Sequence, residues 1–132
     1  MTGPRIVPVQ DESDVVKVRQ AVRSMAVDLK LSLVEQTKVV TAASELGRNL
    51  LIHGGGGEVR LEIVAEGVRT GLRVVFQDHG AGIPDIPKAM KDGYTTGSGM
   101  GLGLGGARRL VNEFEIHSNP REGTRVTIIK WR

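Results

Sequence analysis

Residues 93–106 read GYTTGSGMGLGLGG, with glycine at every second position from Gly97 to Gly105, directly ahead of a helical pattern over residues 107–114. Glycine tolerates positive φ and carries no Cβ, so a backbone this rich in it can wrap an anion and turn its N–H groups inward. A helix N-terminus behind such a loop adds the favourable end of the helix dipole. The stretch reads as a phosphate-binding loop, and a mobile one. A flexible linker is the competing reading. The interleaved aliphatics Met100, Leu102 and Leu104, with serine and proline not dominant, weigh against it.

The rest of the chain bounds what such a loop can serve. Its 132 residues are expected to form one domain spanning residues 1–132, long enough to bury a real core. Hydrophobic residues make up 39% but aromatics only 3%, so that core must come from Val, Leu, Ile and Ala. Cysteine is absent, which excludes a disulfide scaffold and Cys-based metal or nucleophile chemistry. No run approaches the roughly 18 apolar residues of a membrane span. The N-terminal MTGPRIVPVQ lacks the apolar stretch of a signal peptide, so a cytoplasmic location is expected, with no membrane partner. The net charge of +3 comes from 18 basic and 15 acidic residues mixed along the chain. That balance is too mild to argue for nucleic acid, and the aromatics that stack on bases are nearly missing. An anionic small ligand suits it as well as any polymer.

Periodicity gives the order of elements. Residues 6–9 form a short apolar run beside Pro4 and Pro8, which predicts an edge strand. Asp11 to Ser13 can cap a helix whose apolar positions Val15, Val18, Val22, Met25, Ala26 and Leu29 recur at helical spacing. Ser32 with Glu35 resembles a capping box and opens a second helix running to about His53, with Val39, Ala43, Leu46 and Leu50 as its stripe. The glycines at 54–57 end it. Alternation over residues 58–66 and 72–76, joined at 67–71, predicts an antiparallel hairpin. Residues 78–82 read as loop and 84–92 as at most a short helix. Beyond the glycine stretch, residues 107–113 continue as helix, and 114–118 with 124–131 form a last hairpin. The order β-α-α-β-β-(loop)-α-β-β predicts a two-layer α/β sandwich, a mostly antiparallel sheet with its helices on one face.

Literal glycine motifs are weak guides. Gly101-x-Gly103-x-x-Gly106 satisfies the dinucleotide fingerprint, but it follows a loop instead of an early strand of a βαβ unit. No GxxxxGK[ST] occurs, and the signature set of eukaryotic-type protein kinases is missing. Three further constellations carry more. Glu45 and Asn49 stand at i and i+4 in the second helix. With Leu46 at zero, about 100° per residue puts Asn49 near −60° and Glu45 near −100°, beside an apolar stripe at roughly 20° to 60°. Both flank the buried stripe, where a carboxylate and a carboxamide can position a hydroxyl and offer oxygen to Mg²⁺. An ordinary pair on a solvated face is the alternative. Asp78-His79-Gly80-Ala81-Gly82 leaves a strand, and an ionised Asp there can accept from an amine such as the adenine exocyclic group while the glycines admit a flat ring. The alternative is a plain turn. Gly123-Thr124 opens the last strand, where a hydroxyl can complete the base contacts.

Together these read Glu45-x-x-x-Asn49, Asp78-x-Gly80-x-Gly82, Gly99-x-Gly101-x-Gly103 and Gly123-Thr124. The series resembles the N, G1 and G2 boxes and closing GT of the GHKL (Bergerat-fold, HATPase) ATPases, in order and spacing over about residues 40–130. At 132 residues there is no room for the transducing domains of gyrase, Hsp90 or MutL, and the N-terminal helix holds no phospho-acceptor histidine. The free-standing serine kinases of bacterial partner switching remain. The stretches SELGRNLLIHGGGG and DHGAGIPDIPKAMKDGYTTGSGMGLGLGGARRLVNEFEI, with the terminal IIKWR, look like the RsbT-type switch kinases. His53-Gly54 departs from that pattern and is similar to the anti-sigma-factor kinases of the RsbW/SpoIIAB type, which are the alternative.

The resemblance implies ATP and Mg²⁺ as cofactors and a residue-by-residue assignment. Asp78 would read adenine with Thr124 beside it, together with Gly80 and Gly82. Asn49 would coordinate Mg²⁺, and Glu45 would act as general base on a partner's serine hydroxyl. Gly99, Gly101, Gly103 and Gly105 would cradle the phosphates as a lid. It also implies STAS-domain antagonists or scaffolds (RsbS/RsbR-like) as substrates in a stressosome-like stress-response pathway. A PP2C-type phosphatase (RsbU-like) would be activated when the kinase is released. Arg48, Arg108 and Arg109 are read as helix-face arginines and His53 as a helix-end residue, without catalytic roles.

Overall fold

The computed structural model describes residues 3–80, 90, 103–119 and 122–132. Among them are five strands and three helices: β1 (Arg5–Val9), α1 (Glu12–Asp28), α2 (Leu33–Gly54), β2 (Gly57–Glu66), β3 (Arg69–Asp78), α3 (Gly103–Arg109), β4 (Glu113–Asn119) and β5 (Gly123–Trp131). The sheet runs β1-β2-β3-β5-β4 with every neighbouring pair antiparallel. This is the α/β sandwich expected from the order of periodic segments.

Local chemistry sets the helix ends. Asp11 caps α1 by accepting from the backbone of Ser13 and Asp14, while the Asp14 carboxylate returns to the N–H groups of Gln10 and Asp11. A reciprocal box therefore forms at Asp11–Asp14, where the sequence shows only a cap. The helix stops in a Schellman motif: Lys30, at φ 61°, donates to the Val27 carbonyl and Leu31 donates to Ala26. At α2 the Ser32 hydroxyl accepts from the Glu35 N–H (3.2 Å). The Glu35 carboxylate does not complete the expected box. It turns instead to the Lys130 ammonium on β5.

The core lies between the helices and one face of the sheet. Val15, Val18, Val22 and Met25 of α1 and Val39, Ala43, Leu46 and Leu50 of α2 are buried against Val59 and Leu61 of β2, Leu72, Val74 and Phe76 of β3, and Val126 and Ile128 of β5. On the opposite face Arg73 pairs with Glu62, and the Arg69 guanidinium stacks over Trp131 at 3.9 Å. Two boundaries differ from the periodicity reading. β3 extends through Asp78, which pairs with Gly57 of β2 and so closes a strand instead of starting a loop. The third helix begins at Gly103 and ends at Arg109, earlier than residues 107–114, because β4 claims Glu113 onward for pairing with β5. Gly103 and Gly105 thus belong to its first turn. The short helix expected within 84–92 falls outside the described residues, Met90 apart. No helix among the described residues is long and apolar enough to cross a membrane.

Candidate active site

Three elements converge on Asp78. It ends β3, beside the start of β5 and the C-terminal end of α2, and is 7% exposed. A carboxylate this buried needs hydrogen bonds, and backbone supplies them. Oδ1 accepts from the N–H of Gly80 at 2.8 Å and from the N–H of Thr124 at 3.0 Å. Both bonds fall on one oxygen. The other, Oδ2, lies against the Cα of Gly54: a Cβ placed there would sit 2.5 Å from the Asp78 Cβ, Cγ and Oδ2.

Two glycines therefore shape the site. Gly54 is the last residue of α2, and only its missing side chain lets the helix end abut the carboxylate. Gly123, at φ 88°, has left-handed backbone, and a Cβ on it would come 2.4 Å from the Asp78 carbonyl oxygen. From sequence alone Gly54 reads as a helix stop and Gly123 as the opening of the last strand, and neither shows a contact with Asp78. The only signal was their place in the GGGG and GT pairs. Thr124 is buried, its N–H spent on Asp78 and its hydroxyl 3.0 Å from the Ser118 hydroxyl. Gln77 adds a bond to the Thr124 carbonyl at 3.3 Å, tying β3 to β5 beneath the site. Neither Ser118 nor Gln77 was singled out from sequence.

Glu45 and Asn49 stand half-buried on α2, flanking fully buried Ala42, Leu46 and Leu50. Asn49 precedes Gly54 by five residues, about 7.5 Å of helix rise, and Glu45 lies about 6 Å further back. Helix α3 packs on α2, with Gly103, Leu104 and Gly105 buried. Gly82, Gly99 and Gly101 lie outside the described residues. Arg48 is half-buried, while His53, Arg108 and Arg109 are exposed; Arg48, His53 and Arg109 are each engaged in contacts. Among the described residues no three of His, Asp and Glu cluster to hold a metal by themselves. Asn49 and Glu45 are hard oxygen donors of the kind Mg²⁺ takes alongside phosphate and water.

The geometry, then, is a backbone-fixed carboxylate at the sheet end with a helix carrying an amide and a carboxylate beside it. Residues 34–132 match the family of histidine kinase-, DNA gyrase B- and HSP90-like ATPases. The chain belongs to this family. Among its relatives, this ATPase domain is 41% identical to the serine/threonine-protein kinase RsbT of Bacillus subtilis (strain 168), over 99% of this chain and 98% of the relative. It is 32% identical to an anti-sigma F factor of Anoxybacillus flavithermus, over 85% of this chain and 80% of the relative. In three dimensions it is similar to the RsbU and RsbW domains of Rv1364c from Mycobacterium tuberculosis, with a TM-score of 0.66 at 20% identity. The match covers 99% of this chain but 33% of that longer polypeptide, and at that identity it speaks for the fold alone.

Proposed function

We infer that this chain is a serine/threonine-protein kinase of the RsbT type, which moves the γ-phosphoryl group of ATP to a hydroxyl of a partner protein. The observation that carries the reading is the 41% identity to RsbT over nearly the full length of both chains. Identity to anti-sigma F factors is lower and spans less of each chain, so sigma-factor sequestration is the weaker alternative.

The residues then divide the work. Asp78 holds Oδ1 on two backbone N–H groups and offers Oδ2 as acceptor for the adenine amine, with Thr124 and Gly80 beside it. Gly103 and Gly105, in the first turn of α3, would lend backbone N–H groups to the phosphates, and the same phosphate or base contacts are proposed for Gly82, Gly99 and Gly101. Asn49 supplies a carboxamide oxygen to Mg²⁺, which when bound neutralises phosphate charge. Glu45 accepts the proton of the attacking serine or threonine hydroxyl as its oxygen bonds to the γ-phosphorus. The bond to the β-phosphate oxygen breaks, and ADP leaves. Phosphoryl transfer depends chiefly on positioning and charge neutralisation, so a small domain suffices. The substrates this reading favours are STAS-domain proteins of the RsbS/RsbR kind. A PP2C-type phosphatase resembling RsbU is the target switched on by binding.

The test mixes the purified chain with Mg·ATP and a STAS-domain protein, with phosphate transfer followed by mass spectrometry. Serine or threonine phosphorylation is expected, and Glu45→Ala should slow it about 10²- to 10⁴-fold while nucleotide still binds. Transfer at the wild-type rate would remove Glu45 as base. Asn49→Ala should abolish the Mg²⁺-dependent part of nucleotide affinity, measured by titration calorimetry. Stable capture of a sigma factor without phosphorylation of any STAS protein would favour the alternative.

A further inference from the structure

The pairing of β3 with β5 stops one residue short of what its register allows. The Arg132 N–H donates to the Thr70 carbonyl (2.8 Å), so the even-numbered residues of β3 and β5 turn their backbone groups toward each other. Along that register Asp78 and Thr124 are the next pair due to exchange backbone hydrogen bonds, yet the ladder closes at Gln77 and Arg125. The Thr124 N–H shows why. It donates to Asp78 Oδ1 at 3.0 Å, in place of the Asp78 carbonyl. The Asp78 side chain has taken the donor due to its own backbone.

A carbonyl deprived of its ladder partner needs another donor. Gln77 supplies one: its Nε2 donates to the Asp78 carbonyl at 2.7 Å and to the Thr124 carbonyl at 3.3 Å. Both partners only accept, so the carboxamide must turn its NH₂ end to them. Gln77 is half-buried, and strand alternation places it on the sheet face opposite to Phe76 and Asp78. It therefore acts on the site from behind. The carboxylate holds the Thr124 N–H, and the carboxamide occupies the carbonyl that would compete for it.

We propose that Gln77 is a positioning residue for base recognition, which keeps the Asp78 carbonyl from reclaiming the Thr124 N–H and so fixes where Oδ2 points. This role rests on the adenine contact inferred for Asp78. Without the carboxamide, the simplest repair is for the Thr124 N–H to return to the Asp78 carbonyl and lengthen the ladder by one pair. Oδ1 then keeps a single donor, the Gly80 N–H at 2.8 Å, and the carboxylate is free to swing. The damage is selective. Groups assigned to metal and phosphate lie on α2 and α3, so discrimination of the base suffers while the hold on the triphosphate stays.

Titration calorimetry of the intact chain with Mg·ATP and Mg·ITP tests this, because ITP carries an oxygen where ATP carries the adenine amine. Wild type should prefer ATP. Gln77→Met keeps the length of the side chain and removes both donors. Its ATP affinity should fall about tenfold, with ITP affinity held within about twofold. Gln77→Glu also lacks the donors and should show the same loss, which covers a Met variant that thermal unfolding finds unfolded. Asp78→Asn turns an N–H outward and should shift the preference toward ITP. An unchanged ratio of ATP to ITP affinity in the Gln77 variants overturns the proposal, whether both affinities hold or both fall together. If Asp78→Asn moves the ratio and the Gln77 variants do not, only the role of Gln77 falls. If wild type binds both nucleotides alike, or Asp78→Asn leaves the ratio unmoved, the adenine assignment of Asp78 falls and takes the role of Gln77 with it.

Discussion

Asp78 is anchored through Oδ1 by the N–H groups of Gly80 and Thr124, so backbone sets where Oδ2 points. The remaining wall is Gly54, and it tolerates no side chain: a Cβ would meet the carboxylate at 2.5 Å. Gly54→Ala improves helix propensity, yet it must push Asp78 off its two donors. ATP affinity is expected to fall about 10- to 100-fold in titration calorimetry, the cost of about one to two misplaced hydrogen bonds to a charged group. Thermal unfolding should show the variant still folded. Wild-type affinity would mean that the packing of Gly54 on Asp78 does not position the base site. The candidate residues were legible at this scale because each carries its chemistry in its type. Gly54 was not, because glycine after a helix is ordinarily a stop signal, and only the abutting strand gives its missing Cβ a second use.

At the scale of elements, Lys130 links three of them. Its side chain is buried near the end of β5, its ammonium pairs with Glu35 in the first turn of α2, and it donates to the Leu110 carbonyl just beyond α3 at 3.3 Å. The Lys130 hydrogen bond chiefly holds the Glu35 carboxyl below its ordinary value of 4.5, against a smaller opposing push from desolvation. A depressed carboxylate contributes stability that is complete above its unfolded value and is lost as pH falls through its folded one. Glu35→Gln should therefore flatten the fall of the urea midpoint below about pH 4.5 relative to wild type. The Asp11 carboxyl is also lowered, chiefly by the Ser13 hydroxyl, but it titrates in both proteins and cancels in the comparison. Identical acid limbs would show that the Glu35–Lys130 pair contributes nothing. The sequence offered Ser32 and Glu35 as a capping box because that motif is local. The buried lysine that diverts Glu35 lies 95 positions away.

For the whole molecule, Leu46 is the hinge between stability and site. It is 2% exposed, it faces the sheet, and Glu45 and Asn49 flank it on the same helix. Leu46→Ala should cost about 2–5 kcal/mol in urea denaturation, because the core can close only part of the cavity. A loss under 1 kcal/mol would show that α2 can resettle onto the sheet. Periodicity alone determined the order of elements, the helix stripes and the antiparallel hairpins, since the alternation of buried and exposed positions is written directly in the chain. Motif spacing determined the family and named Glu45, Asn49, Asp78 and Thr124. Tertiary structure alone decided that Asp78 ends a strand, that Gly54 and Gly123 close around it, and that the Thr124 N–H donates to its carboxylate. It also set the strand order, with β5 between β3 and β4. These depend on which distant backbones meet, and a sequence lists neighbours along the chain, whereas a carboxylate is oriented by neighbours across the sheet.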